Sequence, residues 1–436
     1  MKTPRDVLRF WIPLSLTWMM MSIEGPILTS AIARLPFDAI NLAAYGVALA
    51  IAMLIESPVI QLLSTSVALA RDAASMAVLK RFTWRVNIGV TIGMIVVTIP
   101  PIYDVLALYV IDLPLEVEAA MYWGLVCLIP WPGAIGYRRF YQGIMIRHGF
   151  TRQVAYGTVM RLVTIVIVGI ALLLVGTIPG VIVGTVTLST AVIFEAIATR
   201  YMAREALKVY AHLPASSQPP ATMREITKFW LPLAATSGIG FVVTPMLAMF
   251  MSRMPNAIES LAVLPVVDSF VFFFRSFGFS YQEVGVALIG QRFEGYAVVR
   301  RVGVWIMLAT TASLVAITFT PLLGVLFEVA YGLNPLLTGF AMPPTTVLII
   351  LPSLAVAYSL HRSVLISARQ NVKVAISTIL EVSGIALVMT ILVSTTSLQG
   401  AMAAAVAMSV GRVGSTLYLW VTARKALRSE PSVRYL

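Results

Sequence analysis

Ten ionisable residues stand in or at the ends of runs that otherwise carry almost no charge: Glu24, Glu56, Arg138, Arg139, Arg161, Asp268, Arg275, His361, Arg362 and Glu381. A charge at bilayer depth is costly and usually faces a bundle interior or a wet cavity, so such residues suit the binding of ions and polar solutes. Glu24 precedes Pro26, where a missing N–H bends a helix. A carboxyl beside such a bend can take up and release a proton as the helix moves. The types and spacings needed for covalent chemistry are absent. There is no H-E-x-x-H, no G-x-S-x-G and no phosphate-binding lysine loop. The lone Cys127 and the scattered His148, His212 and His361 build no metal or redox cluster. The expectation is therefore a protein that is not an enzyme and holds no cofactor, beyond a coupling H⁺ or Na⁺.

The elements that position these residues follow from composition. Of 436 residues, 59% are hydrophobic and only 11% charged, and mean hydropathy is +0.91. A bilayer span needs roughly 20 apolar residues. Apolar runs near 8–33, 41–70, 86–110, 117–146, 153–176, 178–203, 226–252, 257–290, 302–326, 340–366, 371–396 and 399–423 read as twelve transmembrane helices. The first run continues into a second span with no small-residue cleavage site, so it reads as a helix and not a removed leader. The fold class is all-α and polytopic.

Most of the 31 Lys and Arg fall in alternate connections, among them Lys80, Arg81, Arg85, Arg147, Arg152, Arg200, Arg204, Lys208, Arg300, Arg301 and Arg369, with Lys2 and Arg434 at the ends. Asp104, Asp112, Glu116 and Glu118 crowd a connection on the other side. That bias predicts cytoplasmic N- and C-termini in the cell membrane. It accounts for the net charge of +12 by loop retention and anionic lipid, without nucleic acid.

The chain also repeats itself. A shift of 219 positions (230 minus 11) sets Phe10, Trp11, Pro13, Leu14 and Thr17 on Phe229, Trp230, Pro232, Leu233 and Thr236. It continues with Pro26, Arg34 and Pro36 on Pro245, Arg253 and Pro255, and a weaker match with nearly the same shift sets Pro130 on Pro352 and Val154-Ala155 on Val374-Ala375. The stretch 204–225, with Pro214, Ser216, Ser217, Pro219 and Pro220, reads as a cytoplasmic linker. This predicts a lobe over 1–203, a second over 226–424 and a tail over 425–436. An even number of spans per half makes the repeat parallel, an arrangement that places substrate between lobes and alternates access by rocking.

Under the repeat, Glu56 is equivalent to Arg275, and Arg161 to Glu381, with charge inverted. The two pairs are candidates to line a cavity and either bridge the lobes or bind substrate, the alternative being that each has a local packing partner. Asp268, seven residues before Arg275, shares its helix face and either neutralises it or takes part in transport. Arg138, Arg139, His361 and Arg362 sit toward the cytoplasmic ends of equivalent helices and would draw an anion, or else snorkel to headgroups. Glu195 and Glu283 read as interfacial acids, and Arg412 is given no role.

Two six-helix lobes on a linker resemble the multidrug/oligosaccharidyl-lipid/polysaccharide exporter superfamily, with MATE-type exporters as relatives. Within it, Leu42-Ala43-Ala44-Tyr45-Gly46-Val47-Ala48, Ser57-Pro58, Arg71-Asp72, Arg9-Phe10-Trp11-Ile12-Pro13-Leu14 and Phe277-Gly278 with Glu283 are similar to the progressive ankylosis family. The resemblance implies export of a small anion such as a pyrophosphate, nucleotide or carboxylate. The rival expectations are a Na⁺- or H⁺-coupled multidrug exporter, a lipid-linked oligosaccharide flippase and a membrane-embedded enzyme or assembly factor. Oligomeric state is not specified by any motif.

Overall fold

A computed structural model describes residues 3–212, 220–290 and 292–428. Lys2, Pro214, Ser216, Ser217, Pro219 and Arg434 lie outside the described residues. Those described form helices and connections without strands. The first half holds α1 (Pro4–Ser22), α2 (Glu24–Ala33), α3 (Asp38–Ile60), α4 (Leu62–Leu69), α5 (Ala73–Val97), α6 (Pro100–Asp104), α7 (Leu115–Leu128), α8 (Trp131–Arg147), α9 (Thr151–Val175), α10 (Gly180–Met202) and α11 (Arg204–His212). The second holds α12 (Met223–Phe241), α13 (Val243–Met251), α14 (Ala257–Leu288), α15 (Tyr296–Thr318), α16 (Leu322–Val325), α17 (Pro335–Val347), α18 (Leu351–Ser367), α19 (Asn371–Thr395) and α20 (Gly400–Arg428).

Among the described residues, ten helices, or helix pairs that run on, are long and apolar enough to cross a membrane. An eleventh is α5 with the stretch Pro100–Ile111, bent by 77° where Pro100 and Pro101 interrupt it. The twelfth expected span, 8–33, does not meet that standard. It is broken at Ile23, and α1 opens on Arg5, Asp6 and Arg9. The break lies three residues before Pro26, and the equivalent break at Val242 lies three before Pro245. A proline cannot donate to the carbonyl four residues back, which ends each first helix at that point.

The repeat extends to details that composition does not dictate. The backbone turns left-handed at Phe37 (φ 58°) and at its equivalent Asn256 (φ 54°). It does so again at Asp112 (φ 67°) and Gly332 (φ 72°). Each of these two turns is followed by the same long-reach bond, Leu113 N–H to Ala107 and Leu333 N–H to Phe327.

The chain forms two compact units, residues 31–249 and residues 1–30 with 250–436. These do not follow the boundaries expected from the linker. Each unit carries the first helix of the opposite half, and the chain changes unit inside α2 and inside α13. The reason is local. In the unit of α14–α20, the Trp11 indole N–H on α1 donates to Ser280 Oγ at 2.9 Å and reaches the Phe277 carbonyl at 3.4 Å. In the unit of α3–α10, the Trp230 indole on α12 donates to the Pro58 carbonyl at 2.9 Å, and Gln61 Nε2 donates to Ser237 Oγ at 2.6 Å.

Within each unit, small residues set the closest helix approaches. Gly143 on α8 lies so near α4 that a Cβ there would sit 2.5 Å from the Ser66 Cβ. In the other unit Gly285 on α14 meets Ser363 on α18, where a Cβ would sit 2.6 Å from the serine Cβ. The equivalents of Ser66 and Gly143 are Gly285 and Ser363, so glycine and serine have traded helices.

Candidate functional site

In the unit of α3–α10, four helices bring charges to one buried place. Glu195 on α10 is fully buried and accepts a hydrogen bond from Arg138 on α8. Arg161 Nε on α9 lies 3.5 Å from the same carboxylate oxygen. Glu56 on α3 is 4% exposed and feels the charges of Arg139, Arg138 and Arg161. Three guanidinium groups thus surround two carboxylates. Removing an ion pair from water costs several kcal/mol per ion unless hydrogen bonds fill the remaining sites. Here they do not: Nε of Arg138 and of Arg139, Oε1 of Glu195 and Oε1 of Gln142 are buried with no hydrogen-bond partner. Gly157 leaves room beside Glu195, since a Cβ there would stand 3.5 Å from Oε1.

The other unit holds a second group. Arg275 and Asp268 on α14 are joined at 3.2 Å across two turns of one helix face. Arg412 on α20 meets Glu381 on α19 at 2.8 Å, and Ser415 Oγ donates to the same carboxylate at 3.2 Å. The Tyr358 ring lies under two cations, Arg412 at 4.7 Å and Arg362 at 5.9 Å. Arg362 Nε and His361 Nδ1 are buried without a hydrogen-bond partner. Three arginines again accompany two carboxylates.

These geometries sort the sequence expectations. Arg275, Arg161 and Glu381 each have a partner in their own unit, the alternative weighed against bridging. Asp268 neutralises Arg275. Arg138 is 4% exposed and held by Glu195, so it does not snorkel. The four basic groups expected around one vestibule divide between the units, Arg138 and Arg139 in one, His361 and Arg362 in the other. Glu24 opens α2 directly after the break.

At two residues the structure departs from the sequence expectation. Glu195 is not an interfacial acid but the common partner of Arg138 and Arg161. Arg412, given no role, is the partner of Glu381. Neither has a charged equivalent in the other half: 220 positions on from Glu195 stands Ser415, and 220 before Arg412 stands Val192. Glu283, the other acid read as interfacial, accepts from the Trp18 indole at 3.4 Å. Among the described residues no group of His, Cys, Asp and Glu is arranged to hold a metal ion.

No family model and no curated protein matches the sequence. Solved structures do match over nearly the whole chain. An inward-facing MATE-family multidrug resistance transporter of the MOP superfamily is 14% identical with a TM-score of 0.69, covering 99% of this chain and 100% of that one. A MOP-superfamily transporter from Pyrococcus furiosus, described as having a binding pocket of reverse polarity that suggests a different function, is 14% identical with a TM-score of 0.65 over 98% and 97%. The lipid II flippase MurJ in an inward closed conformation is 14% identical with a TM-score of 0.66 over 96% and 89%. The chain therefore has the fold of MATE-type and flippase members of the MOP superfamily. The finer likeness to the progressive ankylosis family finds no counterpart among these matches.

Proposed function

We propose that the protein is a secondary transporter of the cell membrane, with both termini cytoplasmic, that exports a small anionic solute by alternating access between its two halves. The observation that carries this reading is that three arginines accompany two carboxylates in the charged group of each unit, with buried guanidinium Nε–H groups left unpartnered at Arg138, Arg139 and Arg362. An uncompensated buried cation calls for a counter-ion. A phosphate, pyrophosphate or carboxylate oxygen supplies both the charge and the missing acceptors, in the planar geometry that guanidinium favours. Glu56, Arg275, Arg161, Glu381, Asp268, Arg138, Arg139, His361 and Arg362 are then the solute-facing set, joined by Glu195 and Arg412. Glu24, beside the broken first helix, is the group that couples movement to a proton or cation.

The flippase neighbour favours a second reading. A lipid-linked pyrophosphate would present the same headgroup chemistry to the same arginines.

A thermal-shift screen of the purified protein tests both. Inorganic pyrophosphate, a nucleoside triphosphate, a dicarboxylate, a cationic dye and a polyprenyl pyrophosphate are compared. A ligand at a hundred times its Kd stabilises the folded state by about 2.7 kcal/mol. Stabilisation by the soluble anions supports the first reading, and stabilisation by the lipid pyrophosphate alone supports the second. Stabilisation by the cationic dye alone would overturn both.

A further inference from the structure

One cleft lies apart from both charged groups, on the outer face of α5 and α8. It measures about 350 Å³ and is lined by Trp84, Ile88, Thr91, Ile92, Gly133 and Tyr137, with Asn87 beside them. Trp84, Ile88 and Ile92 are about half exposed, at 49%, 53% and 52%, along α5, the longer arm of the bent apolar pair. They recur at the four-residue spacing that forms one stripe along a helix. The same stripe continues toward the N-terminus of α5 to Lys80 and Arg81, both exposed. An apolar slot thus runs along α5 from a basic pair past Trp84 to Ile92. The Trp84 ring packs edge-on against Tyr137 at 6.0 Å and forms the wall nearest the basic end.

The second half of the chain shows how the slot could have been closed. Thr91 and Gly133 are equivalent to Thr311 and Ser353, 220 positions on. There the two hydroxyls hydrogen-bond to each other, and Ser353 Oγ also reaches the Met307 carbonyl at 3.5 Å. In the first half a Cβ at Gly133 would stand 2.8 Å from Thr91 Oγ1, in the line of that missing bond. Glycine on α8 leaves out the hydroxyl contact that serine makes on α18.

We propose that this cleft is a binding site for an anionic phospholipid, with an acyl chain lying along Trp84, Ile88 and Ile92 and the phosphate at Lys80 and Arg81. Charge complementarity selects this occupant. An apolar peptide or a neutral lipid would fill the slot equally well but would gain nothing from two exposed cations, each worth about a tenfold step or less in affinity for an anionic membrane surface.

The test is photo-crosslinking of the full chain in vesicles of equal parts phosphatidylglycerol and phosphatidylcholine, with Ile88→benzoylphenylalanine as the probe and the attached lipid identified by mass. The expected result is an excess of phosphatidylglycerol adduct on the order of tenfold. Lys80→Gln with Arg81→Gln should return the adducts to the vesicle ratio. Gly133→Ser should reduce both adducts. If Gly133→Ser lowers the melting temperature, Ile92→Phe fills the same slot from an exposed position and gives the same reading. Adducts in the vesicle ratio without the charge substitutions, or undiminished adducts after the slot is filled, would overturn the proposal.

Discussion

Trp11 and Trp230 make the same hydrogen bond in different units. Trp230 donates to the Pro58 carbonyl and Trp11 reaches the Phe277 carbonyl, and both the donors and the acceptors are 219 residues apart. The bond ties each half's first helix to the second long helix of the other half. Removing the donor takes a hydrogen bond from the Pro58 carbonyl in the case of Trp230 and from Ser280 Oγ in the case of Trp11, a loss of about 1 kcal/mol each. Trp230→Phe, which keeps the edge-on packing against Phe82 at 5.3 Å, is expected to lower the melting temperature, with Trp11→Phe doing the same. Differential scanning fluorimetry of the two single variants and the double checks this. An unchanged melting temperature in both singles would show that the indoles only fill space.

Glu195 is the shared anion of Arg138 and Arg161. Breaking a buried pair by removing one partner is costly, about 3–5 kcal/mol, because the remaining charge has nowhere to go. Glu195→Gln is therefore expected to destabilise the protein strongly, and Glu195→Gln with Arg138→Met to recover much of the loss. The readout is the urea or thermal midpoint of each variant. Equal stability of Glu195→Gln and the parent would mean that water already screens the group.

The exchange of glycine and serine between α4–α8 and α14–α18 gives a swap experiment. Gly143→Ser alone places a Cβ against Ser66 and 2.7 Å from the Leu63 carbonyl, an overpacking that costs about 1–3 kcal/mol. Gly143→Ser with Ser66→Gly reproduces the arrangement of Gly285 and Ser363. The double variant is expected to be more stable than the single, measured by thermal melting. A double variant less stable than Gly143→Ser would refute the equivalence.

His148, beyond the end of α8, packs edge-on against Tyr210 of α11 at 4.7 Å, while the Tyr210 hydroxyl donates to the Ala70 carbonyl at 2.7 Å. Burial, and then the Arg147 charge, lower the His148 pKa from its ordinary value. Burial pushes the Tyr210 hydroxyl up to about 12, so it remains a donor across the physiological range. For His148 the unfolded chain binds the proton first, so stability rises with pH through the ordinary histidine range and falls as the solution is acidified. Melting temperature should drop between about pH 7 and pH 5, and less so in His148→Phe. A parallel drop in both would assign the pH dependence elsewhere.

Much of the architecture was legible from the chain. The prolines, Trp11 and Arg34 hold register with their partners because helix breaks and indole hydrogen bonds constrain position, whereas apolar residues interchange freely. The exchange of first helices was not legible, since the boundaries rested on a polar linker and nothing in Trp11 names Ser280 as its acceptor. Of the charged groups, those with a charged equivalent stood out, and Glu56, Arg161, Arg275 and Glu381 all proved to lie among ionic neighbours. Glu195 and Arg412 escaped because a search for inverted charges cannot see a charge whose equivalent is Ser415 or Val192. A stripe of small buried residues along α10, with Ser189, Ala191, Val192 and Thr199 around Glu195, was the signal that could have placed that acid inside.

Transport by this protein, on the proposed reading, turns on an anion received by the arginines that lack a carboxylate partner. Its most direct test is release of radiolabelled pyrophosphate from proteoliposomes, run beside release of a cationic dye. The parent protein is expected to release the anion and not the dye, and Arg139→Gln and Arg362→Gln each to slow release by about tenfold or more. Dye release with the anion retained, or anion release at the parent rate in both variants, would contradict it.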